Sequence, residues 1–211
     1  MNILVVDDHP LIIEGYISIL QSAFPFFKFF TANTINEAYN VMKREDHIDC
    51  FILDYDLPVC DTRNISNGAD LAKEIRKHFS SSKIVMITAH EEILTVYNIH
   101  KKVFPDAFMI KKDVTAEVIV KAIDQVQKEE RYYSEAVKSC IGQIAKKELM
   151  WEENNIQILL LLSKGYKIKD IGDLLSLSMS TVQKRILLMK EAFDVMDNGG
   201  LVKEAVIQKY I

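Results

Sequence analysis

The sequence predicts an α/β protein: a doubly wound, five-stranded parallel sheet followed by an all-helical unit. Three observations predict it. Through the first 125 residues short β-rich runs alternate with helical patterns, as βαβ units feeding a parallel sheet do. Most of those runs are continuously apolar rather than alternating, as strands covered on both faces must be. Beyond residue 148 only helical patterns remain.

The expected strands are Ile3 to Asp7, Lys28 to Ala32, Cys50 to Asp54, Ile84 to Thr88 and Ala107 to Ile110. Between and after them, Pro10 to Ala23, Ile35 to Arg44, Ala69 to His78, Glu91 to Lys101 and Thr115 to Gln127 read as helices. Pro10 suits a first helical position, and Thr34 stands three residues before Glu37 at capping-box spacing. Residues 1–126 therefore form one domain. The stretch 127–148 is charged, helix-compatible and without a strong apolar stripe, so it is expected to be a linker. In residues 149–211, Glu152 to Ser163, Ile168 to Leu175, Ser180 to Phe193 and Leu201 to Tyr210 read as four short helices. Gly165 lies where a left-handed cap is wanted, and Gly199-Gly200 is expected to break the last two helices apart.

Composition excludes several classes. A chain of 211 residues is comfortable for two domains, and no stretch approaches the roughly 18 apolar residues of a membrane span. Met1 leads directly into the first strand with no secretory pattern, so the protein is expected to stay in the cytoplasm, off the membrane. Cys50, Cys60 and Cys140 are odd in number and widely spaced, which predicts free thiols and no structural zinc. The net charge of −4 is divided unevenly. Residues 1–125 carry 13 Lys and Arg against 18 Asp and Glu, whereas residues 164–190 carry six basic and two acidic residues. An acidic domain and a basic one have different partners.

In an open parallel sheet, ligands collect beyond the carboxyl ends of the strands. The polar residues there are Asp7 and Asp8 after strand one, Asp54 at the end of strand three, Thr88 at the end of strand four and Lys111 after strand five. Any one of them alone is an ordinary solvated end charge. Together they supply metal ligands, a nucleophile and charge stabilisers for phosphoryl transfer to a carboxylate. Three carboxylates repel unless a cation lies between them, and oxygen-only ligands suit Mg2+.

The stretches VVDDHP, ILDYDLP, IVMITAH and FMIKKD carry a resemblance that covers nearly the whole chain. The sequence resembles two-component response regulators of the NarL/FixJ type: a flavodoxin-like receiver, strand order 2-1-3-4-5, followed by a LuxR-type helix-turn-helix. The resemblance implies that Asp54 accepts a phosphoryl group from a sensor histidine kinase. It implies Mg2+ at Asp7, Asp8, Asp54 and the backbone carbonyl of Asp56. Thr88 and Lys111 would contact the phosphoryl group, and Phe108 would be the aromatic that moves with Thr88 as a switch; alone, Phe108 reads equally as a core aromatic. The chain departs from the family at Lys112, where proline is usual, and at Gly68, which follows Pro58 by ten residues instead of about four. The lengthened loop, Val59 to Asn67, has almost no apolar anchor and is expected to be exposed and mobile, able to lie over Asp54, with Asp56 and His90 at the rim.

The stretch GYKIKDIGDLLSLSMSTVQKRI resembles the LuxR-type core. Val182, Ile186, Met189 and Phe193 define a buried face, and Ser178 is placed to cap that helix. Lys167, Lys169, Ser180, Thr181, Gln183, Lys184, Arg185 and Lys190 are the candidate contacts to double-stranded DNA, chemically suited to phosphates and base edges. The family's Thr-Pro-Arg-Glu-like start is replaced by Glu152, Glu153, Asn154 and Asn155, and acidic residues there repel phosphates. The implied function is transcription regulation by a protein that is not an enzyme in the ordinary sense and that dimerises when phosphorylated. Two rivals are a protein-binding regulator without DNA affinity and an aspartyl-phosphate phosphatase using Asp56 as general acid.

Overall fold

The computed structural model describes residues 1–211, which divide into two compact units, Met1–Ile141 and Gly142–Ile211. In the first, β1 (Asn2–Val6), β2 (Lys28–Ala32), β3 (Cys50–Asp54), β4 (Lys83–Thr88) and β5 (Ala107–Ile110) form a parallel sheet in the order β2-β1-β3-β4-β5. A sixth strand, β6 (Tyr132–Tyr133), adds to the β5 edge. Two residues are too few for a periodicity to be visible, which is why the sequence predicted five.

Strand side chains alternate between two helical layers. Leu4, Val6, Phe51, Leu53, Met86 and Phe108 face α2 (Ile35–Arg44), α3 (Gly68–His78) and α4 (Ile93–Val103). Ile3, Val5, Ile52, Val85, Ile87 and Met109 face α1 (Pro10–Ala23) and α5 (Ala116–Gln127). Each fully buried large apolar side chain contributes roughly 1.5–3 kcal/mol, and burial on both faces explains the continuous apolar runs.

Two expectations are corrected here. The stretch 127–148 is not a bare connection. It holds β6 and most of α6 (Glu135–Trp151), whose Val137 and Cys140 are buried in the first unit's core. Val137, Cys140, Ile141 and Ile144 do form an i, i+3, i+4, i+7 stripe, masked by its cysteine and by the lysines around it. The loop 59–67 is also anchored. Cys60 and Ile65 pair across an antiparallel bridge and are both buried, around a 3-10 turn at Asp61–Arg63. Arg63 donates to Asn36 Oδ1 at 3.1 Å and stacks on the Tyr39 ring, so the loop leans on α2.

The second unit packs α7 (Glu153–Ser163), α8 (Ile168–Leu175), α9 (Met179–Phe193) and α10 (Asn198–Ile207) around Met150, Ile158, Leu159, Ile171, Val182, Ile186, Met189 and Leu201. Gly165 has φ +81°, the left-handed conformation expected of a helix end. Gly199 and Gly200 do not break a helix. They lie in the first turn of α10, where the Asp197 side chain accepts from Gly200 N at 2.7 Å.

Candidate functional site

Parallel register brings the carboxyl ends of the strands level. Val6 lies opposite Leu53, Asp54 opposite Ile87, and Thr88 opposite Ile110, so the next residues along the chain, Asp7 and Lys111, flank Asp54 and Thr88. Asp7 and Asp54 are each 2% exposed, Thr88 is fully buried and Asp8 is partly open. Lys111 Nζ reaches Asp54 Oδ2 at 2.9 Å and Asp7 Oδ2 at 3.3 Å. Burial pushes the Asp54 carboxyl above its ordinary pKa; the Lys111 hydrogen bond opposes the rise and the Asp7 charge adds to it. For Lys111, burial favours the neutral amine, but the bonds and charges of Asp54 and Asp7 outweigh it and hold the ammonium above its usual value. Tyr16 on α1 is pushed up to about 12, first by burial and then by the Asp7 charge.

One oxygen of each of two carboxylates, Asp54 Oδ1 and Asp8 Oδ1, is buried without a hydrogen-bond donor. Buried acceptors of this kind are costly unless a cation meets them. Ligand atoms of Asp7, Asp8 and His9 lie within 4.8 Å of one another. This donor set fits a hard divalent cation. His9 is a neighbour that sequence reasoning assigned no role: its backbone N–H donates to Asp7 Oδ1 at 2.9 Å, and its Nδ1 stands 2.7 Å from Asp8 Oδ1 without hydrogen-bond alignment.

At the rim, His90 bridges two carboxylates, with Nε2 2.9 Å from Asp56 Oδ1 and Nδ1 3.1 Å from Glu92 Oε2. Tyr55 meets the imidazole edge-on, and His90 N donates to Thr88 Oγ1 at 3.1 Å. Phe108 is fully buried on the α2–α3–α4 side of the sheet. The side-chain hydrogen bonds and ring contacts of Cys60, Thr62 and Arg63 run among themselves and to Asn36 and Tyr39, not to Asp54.

In the second unit, the turn between α8 and α9 is tight: a Cβ on Gly172 would stand 2.8 Å from the Leu177 carbonyl oxygen. Ser178 caps α9 by accepting from Thr181 N at 3.1 Å. Lys167, Lys169, Ser180, Gln183 and Lys184 are exposed and Thr181 is partly so. Arg185 does not project outward. Three residues on from Val182, it turns toward α7 and donates to Asn155 Oδ1 at 3.1 Å and Glu152 Oε1 at 2.5 Å. Lys190 is half-buried, its ammonium 3.5 Å from the Met196 carbonyl. The outward face instead presents Leu187 and Leu188, 51% and 42% exposed, beside Lys184 and Glu191.

A buried carboxylate clasped by a lysine, flanked by further carboxylates at the carboxyl ends of the strands, occupies the place where doubly wound sheets bind their ligands, and a helical unit follows it in this chain. Residues 3–124 match the response regulator receiver domain, and the chain belongs to that family. It is 24% identical over 220 residues to the probable transcriptional regulatory protein NarL of Mycobacterium tuberculosis (strain ATCC 25618 / H37Rv), covering 100% of this chain and 96% of that one. It is 26% identical over 189 residues to the response regulator UvrY of Escherichia coli (strain K12), covering 86% and 83%. Among solved structures, the RcsB response regulator of Salmonella typhimurium superposes with a TM-score of 0.62 at 18% identity over 98% of each chain. A two-component response regulator RcsB–DNA complex superposes with a TM-score of 0.58 at 20% identity over 96% of each. These likenesses share the two-unit fold. No helix is long and apolar enough to cross a membrane.

Proposed function

We propose that the protein is a two-component response regulator in which Asp54 accepts a phosphoryl group from a sensor histidine kinase and residues 149–211 bind double-stranded DNA to regulate transcription. The single observation that carries this reading is Asp54 itself: buried, held by Lys111 through one oxygen, with the other oxygen unpartnered. An Asp54 oxygen attacks phosphorus as the donor's bond to phosphorus breaks, so the carboxylate becomes an acyl phosphate. Lys111 and the Thr88 hydroxyl then have phosphoryl oxygens to meet, and the charge gained, about −1.5 to −2, is confined beside them. Mg2+ held by Asp7, Asp8, Asp54 and the Asp56 carbonyl would neutralise phosphate oxygens during transfer. The added charge biases a two-state face of the receiver, with homodimerisation of the phosphorylated form as the output.

Incubation with a small phosphodonor and Mg2+ tests the first half: wild-type protein is expected to be labelled and Asp54→Asn is not. Capture of genomic fragments at moderate salt, with and without the phosphodonor, tests the second. The exposed leucines of α9 favour one other reading, that this face docks on a protein. Phosphorylation without DNA capture at any salt concentration would select it.

A further inference from the structure

The chain beyond α5 folds back onto the phosphoacceptor unit. Tyr132 and Tyr133 pair with Ala107 and Phe108, Tyr132 N donates to the Asp106 carbonyl at 3.1 Å, and Ser134 N donates to the Phe108 carbonyl at 3.0 Å. The Tyr133 ring stands edge-on to Phe108, at 6.4 Å between centroids, and to His100 of α4, at 5.4 Å. Its hydroxyl donates to the Pro105 carbonyl at 3.1 Å, and the Arg131 guanidinium lies 3.9 Å from the centre of the Phe104 ring. The first turns of α6 then place Val137 and Cys140 in the same core cluster as Phe108, Val96, Ile99 and Val103. The Cys140 thiol faces the Glu91 carbonyl oxygen at 3.9 Å, and the Glu91 carboxylate pairs with Lys112.

Residues 131–141 therefore touch the surroundings of both proposed switch residues. Phe108 packs directly on Tyr133. Glu91, under Cys140, stands three residues after Thr88, on the loop that Thr88 Oγ1 holds through His90 N. A Thr88 hydroxyl turned toward a phosphoryl group on Asp54 gives up that hold, and the loop is freed to move. Packed interiors respond to such shifts by changing between discrete arrangements rather than by stretching.

We propose that β6 and the first turns of α6, residues 131–141, form a clamp on the α4–β5 edge that is docked while the Asp54 carboxylate is free and released when it is phosphorylated. This inference rests on the reading of Asp54 as phosphoacceptor. Its reporter is built in, because Cys140 is buried in the docked seam with its thiol facing the Glu91 carbonyl, whereas Cys50 lies wholly buried within β3. Full-length protein is pulsed with an alkylating reagent, with and without beryllium fluoride and Mg2+, and labelling of each cysteine is read by peptide mass spectrometry. Cys140 labelling is expected to rise roughly tenfold, a shift of about 1.4 kcal/mol in the docking equilibrium, with Cys50 unchanged and no response in Asp54→Asn. Tyr133→Ala is expected to raise Cys140 labelling without beryllium fluoride. An unchanged Cys140 rate in protein whose Asp54 is phosphorylated by a small phosphodonor overturns the clamp and leaves the phosphoacceptor reading standing. A parallel rise at Cys50 overturns it as general loosening. Absence of phosphorylation at Asp54 overturns both.

Discussion

Gly68 begins α3 directly against the backbone of Asp54: its N–H donates to the Tyr55 carbonyl at 2.8 Å, and a Cβ placed on it would stand 1.9 Å from the Asp54 carbonyl oxygen. The lengthened loop thus ends on a residue that must be glycine, and the helix start fixes where the β3 end lies. Gly68→Ala is expected to force α3 and the β3 end apart, at a cost of about 1–3 kcal/mol. Thermal denaturation together with phosphodonor labelling checks this: both stability and labelling rate should fall, and a variant as stable and as reactive as wild type would show that the contact relaxes freely.

Arg185 and Lys184 are neighbours with different expected roles. Asn155 is fully buried, donating to the Leu149 carbonyl at 2.8 Å and accepting from Arg185. Arg185→Ala leaves that acceptor unpaired and is expected to cost about 1–3 kcal/mol of stability in the helical unit. Lys184→Ala should leave the melting temperature unchanged and reduce the salt dependence of DNA binding by about one unit of slope. Melting curves and binding titrations over a salt series separate the two.

Asp70 couples three segments. It accepts from the Ser66 backbone at the loop's end and pairs with Lys102 of α4 at 2.7 Å. Burial alone would raise its pKa, but the Lys102 and Ser66 hydrogen bonds outweigh it and hold the carboxyl below its ordinary 3.8. A depressed folded pKa contributes stability that is complete above the unfolded value and is lost as pH falls below 3.8 through the folded value. Asp70→Asn should therefore be less stable than wild type at pH 7, by about 1 kcal/mol or less for so open a pair, and equal to it in strong acid. A gap that persists in acid would place the effect in something other than the charge.

His90 stands between Asp56 and Glu92, two residues after Thr88, whose hydroxyl accepts from its backbone N–H. His90→Ala frees the Asp56 carboxylate and opens the acyl phosphate to water, and is expected to shorten the phosphoaspartate lifetime several-fold. Dephosphorylation after removal of the phosphodonor measures it, with Asp56→Asn for comparison. Identical lifetimes in all three proteins would mean that the rim does not control water access.

Much of the architecture was decided by local pattern. Strands β3 and β5 have the boundaries their apolar runs imply, because burial on both faces writes itself into consecutive residues, and the edge strand β2 and helices α1, α2 and α8 also have the expected boundaries, with Pro10 and Thr34 marking the starts of α1 and α2. Asp7, Asp8, Asp54, Thr88 and Lys111 could be gathered from sequence alone, since a parallel sheet puts the ends of its strands at one edge and polar residues there stand out against apolar neighbours. Tertiary structure alone decided the rest. Arg185 looks outward in a list of basic residues, but its partners Glu152 and Asn155 are 33 and 30 positions away and are brought to it by helix packing. The loop 59–67 looks unanchored until Cys60 and Ile65 pair across it. Residues 131–141 look like a tether because a two-residue strand and a stripe containing cysteine carry little periodic signal. Their place was settled by the open edge of β5, whose Phe108 carbonyl accepts from Ser134, and by the core beside it, which takes in Val137 and Cys140.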